Sequence, residues 1–250
     1  MNGEFLLDAI GDAEDRYILE AQQLGSGKME PLQTRKKTRS WKLWLLAAVI
    51  PLLAITAYAT DFLNIRSLSA GEAQYTSSAY QQMEQAMEQA GFRMDVKERF
   101  GSGYTFDNVL VRDTSGQDEN GQEVLTYSRM IVEYRTSSGN RLLLSAEPYW
   151  EEIPHMERPA AQSRVIGEIQ ANYYVDHYKF VPEDYELTEA EKAWEQQPGN
   201  FISYGSDEVE ETTTAFLSWE KDGIYYFFMD TGAQETPDTL FSMAEELING

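Results

Sequence analysis

Two histidines, no cysteine and 42 carboxylates against 20 basic side chains bound the chemistry open to this 250-residue chain. Without a thiol, disulfides, thiolate nucleophiles and cysteine-ligated metal sites are excluded. His155 stands in Glu151-Glu152-x-x-His155-x-Glu157, a grouping that offers acids around an imidazole. It lacks the spacing of a zinc-binding HExxH helix, and Pro154 breaks any helix that would align the ligands, so it reads as an acidic surface loop. Asp176 and His177 adjoin within a strand-like run, where neighbours point to opposite faces, so they do not form a dyad. Residues 113–123 (DTSGQDENGQE) hint at a calcium loop. Aligning Gly121 with the invariant glycine puts Gly116 and Tyr127 where acids are required, so a hairpin loop is predicted instead. Gly27-Lys28 is followed by Met29 and preceded by Gln22 where a phosphate loop needs Ser or Thr and Gly. No G-x-S-x-G elbow is present. The expectation is a protein that is not an enzyme, with no catalytic residue, cofactor or metal.

The elements around these residues explain more. Residues 41–60 (WKLWLLAAVIPLLAITAYAT) contain a charge-free run from Leu43 to Ala59. Seventeen helical residues span about 26 Å at 1.5 Å each, and the flanks bring this near the ~30 Å bilayer core. Trp41 and Trp44 at one end and Tyr58 at the other suit the membrane interface, and Pro51 is better tolerated in a membrane helix than in an exposed soluble one. One transmembrane helix is predicted. Ala57-Tyr58-Ala59 has the small-x-small form of a signal-peptide cleavage site, the rival reading; the 40-residue leader and the long apolar run favour a retained anchor.

Charge gives the orientation. Residues 1–60 carry seven acids and seven bases, so the whole net charge of −22 belongs to residues 61–250. Arg35, Lys36, Lys37, Arg39 and Lys42 cluster before the apolar run, which places the N-terminal arm in the cytoplasm and the C-terminal part outside. An acidic outer domain excludes nucleic acid as a partner, since phosphate contacts need a basic footprint. In the arm, Leu6, Ile10, Ala13, Tyr17 and Leu24, with Ala21, fall on one helical face. A lone helix of this length is marginal in water, so the stripe wants a partner.

Beyond a juxtamembrane connector (residues 61–72), residues 78–90 predict a helix stopped by Gly91. Period-two patterns follow at 92–96, 104–111, 124–134 and 141–146, an antiparallel meander packed on that helix. An irregular link with Pro154 and Pro159 leads to strands at 164–169, 173–180, 201–204, 212–219 and 224–229. Thr188-Glu189-Ala190-Glu191 is a capping box, and Thr236-Pro237-Asp238 opens a last helix with Leu240, Met243, Ala244, Leu247 and Ile248 on one face. Tyr225-Tyr226-Phe227-Phe228 puts rings on both faces of its strand, which implies cover on both sides or a core on one face and a groove on the other.

Several pieces together resemble a known pattern: Tyr178-Lys179-Phe180-Val181-Pro182 with Tyr185-Glu186, Ile202-Ser203-Tyr204-Gly205-Ser206, Phe216-Leu217-Ser218-Trp219 running through Asp222-Gly223 to Ile224-Tyr225-Tyr226, and Met243-Ala244-Glu245. They resemble a C-terminal domain family of unknown function found in Gram-positive single-pass membrane proteins, and the layout is similar to proteins labelled anti-sigma-factor-like. The resemblance implies an extracytoplasmic domain and a sigma factor as the cytoplasmic partner; the arm lacks the His and Cys ligands of the zinc-dependent kind.

The expected fold class is therefore α+β, antiparallel β meanders packed by a few helices, tethered by one N-terminal transmembrane helix. The expected divisions are a cytoplasmic arm and basic linker (1–40), a span (41–60), a connector (61–72) and two α+β lobes (73–150 and 151–250). The expected role is a membrane regulator or sensor whose partners are the lipid bilayer, a cytoplasmic protein and an unknown envelope ligand. The alternative is a passive, tethered envelope binding module without signalling.

Overall fold

The computed structural model describes residues 67–149 and 158–250, all within the compact unit Ala48–Gly250. The expected partner-binding residues Leu6, Ile10, Ala13, Tyr17 and Leu24 lie outside the described residues, as do the basic residues Arg35, Lys36, Lys37, Arg39 and Lys42 and the anchor residues Trp41, Trp44, Pro51 and Tyr58. The loop with Glu151, Glu152, His155 and Glu157 does too. Among the described residues no helix is long and apolar enough to cross a membrane.

The described residues form a mostly-sheet α+β fold with antiparallel meanders and few helices. The strands are β1 (Ser67–Ser77), β2 (Thr105–Gln117), β3 (Glu123–Arg135), β4 (Arg141–Pro148), β5 (Gln162–Ile166), β6 (Ile169–Val181), β7 (Asn200–Tyr204), β8 (Glu210–Lys221) and β9 (Ile224–Thr231). The helices are α1 (Met83–Ala90), extended at its start by a 3₁₀ turn, α2 (Glu189–Glu195) and α3 (Pro237–Ile248). All nine strands belong to one sheet of order β1-β2-β3-β4-β9-β8-β6-β5, with β7 also on β6. The four-stranded meander before residue 150 and the strands after it are joined where β4 pairs β9 antiparallel. Strand β1 takes in part of the expected connector, since its ladder with β2 begins at Ser67.

Local chemistry sets the turns and caps. Asp222 (φ 54°) and Gly223 (φ 74°) make the two-residue turn between β8 and β9 that an Asp-Gly pair favours. Asp118 accepts from the amides of Asn120 (2.8 Å) and Gln122 (2.9 Å), so the calcium-like stretch is a hairpin loop organised by one carboxylate. Thr188 and Glu191 form the full capping box of α2, and Thr236 accepts from the Thr239 amide at the start of α3.

One stretch departs from the pattern. Residues 92–96 alternate like a strand but form none. Tyrosine hydroxyls satisfy the backbone there instead: Tyr80 donates to the Val96 carbonyl (3.2 Å), Tyr134 to the Lys97 carbonyl (2.9 Å), and the Tyr226 oxygen accepts from the Asp95 amide (3.0 Å). Met94, Phe100 and Tyr104 are buried, so the stretch closes the core as a loop whose polar groups need no ladder.

The core lies on one face of the sheet. Val109, Val111, Met130, Val132, Leu142, Leu144, Ala215, Leu217 and Phe228 pack with Met83, Ala86 and Met87 of α1 and Leu240, Met243, Ala244 and Leu247 of α3. Trp219 and Tyr226 stack there with rings 5.2 Å apart. Lys221 crosses from β8 to Asp95 (2.6 Å) and to the Ile248 carbonyl (3.1 Å), tying the loop to the end of α3.

Candidate functional site: the polar face of the sheet

Because side chains alternate, the register fixes what the second face carries. Leu143 opposes Met229, Ser145 opposes Phe227 and Glu147 opposes Tyr225. Across β8 and β6, Phe216 opposes Tyr174, Thr214 opposes Asp176 and Thr212 opposes Tyr178. Of the buried polar residues Thr114, Arg129, Glu133, Ser145, Glu147, Asp176, Thr214, Ser218 and Asp230, all but Asp230 fall on this face. The two faces therefore differ in kind: one is an apolar core under helices, the other combines paired charges, hydroxyls and aromatic rings.

Its centre is Arg129 on β3. Nε donates to Glu147 (2.5 Å) and Nη2 to the Tyr127 hydroxyl (3.1 Å), and the guanidinium lies 5.8 Å from the ring centroids of both Tyr127 and Phe227. The side chains of Arg129 and Glu147 are 3% and 2% exposed, so this ion pair is desolvated. Burial alone would weaken the hold of Arg129 on its proton, and Glu147 and Tyr127 more than offset that, raising its pKa. Burial pushes Tyr127 up to about 12, and it raises Tyr225 and Tyr174 as well. These phenols stay protonated hydrogen-bonding groups at neutral pH.

Two further charge groups flank this centre. Glu133 meets Arg135 (2.5 Å) and Arg141 (2.7 Å), and Arg135 reaches Asp107 (2.8 Å). At the β6 end, Asp176 is paired with Arg158 and accepts from the Tyr178 hydroxyl (3.2 Å). Arg158 also lies 5.0 Å from the Tyr174 ring centroid. Tyr178 stacks on Phe201 at 5.1 Å and on Phe180 at 6.2 Å. Beyond them the sheet ends in an exposed, acid-rich corner. There Lys179 links Glu191 (2.8 Å) and Glu211 (3.3 Å), and Lys179 and the Thr188 groups hold the Glu191 carboxyl down at about 2.

Chemically, the buried charges are locked in structural pairs. His177 is on the opposite face from Asp176 and shares a hydrogen bond with Thr213 (3.2 Å), in keeping with the exclusion of a dyad. No cluster of three or more metal-ligating side chains occurs among the described residues. All four rings of Tyr225-Tyr226-Phe227-Phe228 are buried, Tyr226 and Phe228 in the helix-covered core and Tyr225 and Phe227 on the polar face. Sequence reading missed the Arg129–Glu147 and Arg158–Asp176 pairs. The available signal was charge at same-parity positions of apolar strands (129 and 133 on β3, 147 on β4), which has meaning only once the register is known. No family model, no curated protein and no solved structure matches this chain.

Proposed function

We propose that this chain is a single-pass membrane regulator. The apolar run at 41–60 is its anchor, the acidic sheet domain its extracytoplasmic part, and the arm's stripe of Leu6, Ile10, Ala13, Tyr17 and Leu24 the dock for a cytoplasmic protein, a sigma factor being the class the layout points to. The observation that carries the reading is the position of β1. The sheet starts at Ser67, and the six residues from 61 to 66 reach about 20 Å when extended, so β1 hangs directly on the proposed anchor. A domain joined so closely transmits its state through a short tether. The paired polar face suits a binding domain held in one conformation, with an envelope ligand as its signal.

Two measurements on the full chain test this. Protease added outside intact cells should degrade a C-terminal tag in the membrane fraction and spare an N-terminal one; a tag protected at the C-terminus, or a chain recovered wholly as a soluble cleaved form, overturns the topology. Crosslinked cells should yield a cytoplasmic partner that is lost when Leu6, Ile10 and Tyr17 are replaced by serine. A chain that keeps its biological role with that stripe removed is the passive tethered binding module instead.

A further inference from the structure

The outer edge of β6 changes partner midway. Residues 169–173 pair antiparallel with β5, and residues 177–181 pair parallel with β7. The last bond on the first side is the Ala161 amide to the Tyr173 carbonyl (2.8 Å), and the first on the second is the His177 amide to the Gly199 carbonyl (2.8 Å). Between them no strand among the described residues meets the Val175 carbonyl. Arg158 fills the gap: Nη1 donates to that carbonyl (3.2 Å), Nη2 pairs with Asp176, and the guanidinium lies over the Tyr174 ring. Its side chain is only 8% exposed, and Nε has no partner among the described residues. Gly199 makes the space, since a Cβ there would lie 2.6 Å from Nη1.

We infer that Arg158 and Asp176 form a proton-operated clasp: ionised Asp176 holds the chain at Arg158 against the polar face and the β5–β7 gap, and protonation of Asp176 releases it. Among the described residues the groups facing Asp176 are few. Arg158 reaches it from the segment before β5, Tyr174 and Tyr178 flank it on β6, Thr214 opposes it on β8, Gly199 and Asn200 of the β7 side bring no charge, and His177 points to the other face. Burial raises the Asp176 carboxyl to about 6, while Arg158 acts the other way, lowering it by its charge and its hydrogen bond. Coupling is reciprocal: a cation that favours the ionised carboxylate is itself held more tightly by it. Once Asp176 is neutral, Arg158 is a buried cation with a carbonyl and a ring for company, which is costly.

Carbon-detected NMR of the Asp176 carboxyl in the full chain tests the coupling, comparing wild type with Arg158→Lys and Arg158→Ala. The expected result is titration near pH 6 in the wild type and at a higher pH in Arg158→Ala, with Arg158→Lys between. An Asp176 that titrates at the same or a lower pH without Arg158 overturns the inference. Hydrogen exchange supplies the second arm. Corrected for its intrinsic pH dependence, exchange at the Ala161 amide should accelerate several-fold between pH 7 and 5 in the wild type and stay level in Asp176→Asn. Level exchange in the wild type, or unchanged acceleration in Asp176→Asn, also overturns it.

Discussion

Gly199 and Arg158 are fitted to each other: Gly199 sits at φ 86°, and a Cβ on it would lie 2.6 Å from Arg158 Nη1 and 3.0 Å from the Val175 carbonyl oxygen. Backbone conformation and space both demand glycine. Gly199→Ala should destabilise the domain by roughly 1–3 kcal/mol through the strained φ and the displaced guanidinium. Thermal unfolding should show a Tm lower by about 2–4 °C for each kcal/mol. Truncating Arg158 in the same chain should recover part of the loss, because the clash with Nη1 goes while the positive φ stays. Full additivity of the two changes would show that they do not touch.

The Arg129–Glu147 pair makes an asymmetric prediction. Glu147→Ala leaves a desolvated guanidinium with the Tyr127 hydroxyl and the Tyr127 and Phe227 rings in place of its carboxylate, a loss on the order of 3–5 kcal/mol. Replacing both partners by apolar residues of similar volume, as in Arg129→Met with Glu147→Leu, should restore most of the wild-type stability in urea unfolding. A double variant as unstable as the single one would mean that the pair does more than neutralise itself.

Stability should depend on pH through two carboxyls in opposite directions. Asp176 has a folded pKa of about 6, above its ordinary 3.8, so the folded state takes up a proton first. Its contribution grows as pH falls from about 6 toward 3.8 and is lost as pH rises through 6. Glu191, held at about 2 against an ordinary 4.5, contributes above 4.5, and that contribution is lost as pH falls toward 2. Urea unfolding between pH 7.5 and 4.5 should therefore show wild type gaining on Asp176→Asn as pH falls. A difference that does not vary with pH would refute the assignment. This global gain and the local release of Arg158 are separate readouts, the first set by burial and the second by the partner charge.

The tyrosine-braced loop is testable by single-atom deletion. Tyr134→Phe removes the donor to the Lys97 carbonyl and should cost about 1–3 kcal/mol. Amide exchange in residues 92–104 should accelerate more than in β2 or β3. Uniform acceleration across all three would show that the hydroxyl supports the sheet as a whole and not the loop.

What could be read before the fold was known tracks the range of each interaction. Local chemistry was legible: Thr188 with Glu191, Thr236 with Pro237, Asp222 with Gly223 and the stop at Gly91 act within a few residues and stand in the structure as their types imply. Period-two runs located most strands, except β1, which begins inside the expected connector, and except where Gly167-Glu168 turned an apparent run into the β5–β6 hairpin and where tyrosine hydroxyls replaced a ladder after Gly91. The polar face was not legible. Arg129 finds Glu147 through the β3–β4 register, and Arg158 finds Asp176 through a change of edge partner on β6 that no local pattern encodes.

The pairing of β4 with β9 has a consequence for how the chain is made. The strands β2 to β4 can zip up early, each a short loop from the next, and β1 joins β2 across the segment that holds α1. The free edge of β4 then waits for Ile224–Thr231, which is synthesised more than 70 residues later. Until that strand arrives, a ribosome-bound nascent chain displays an open, apolar strand edge bearing Leu142, Leu143 and Leu144, the kind of surface that templates aggregation or calls for a chaperone. Strand β9 closes that edge, so a chain cut short before residue 224 keeps it unsealed.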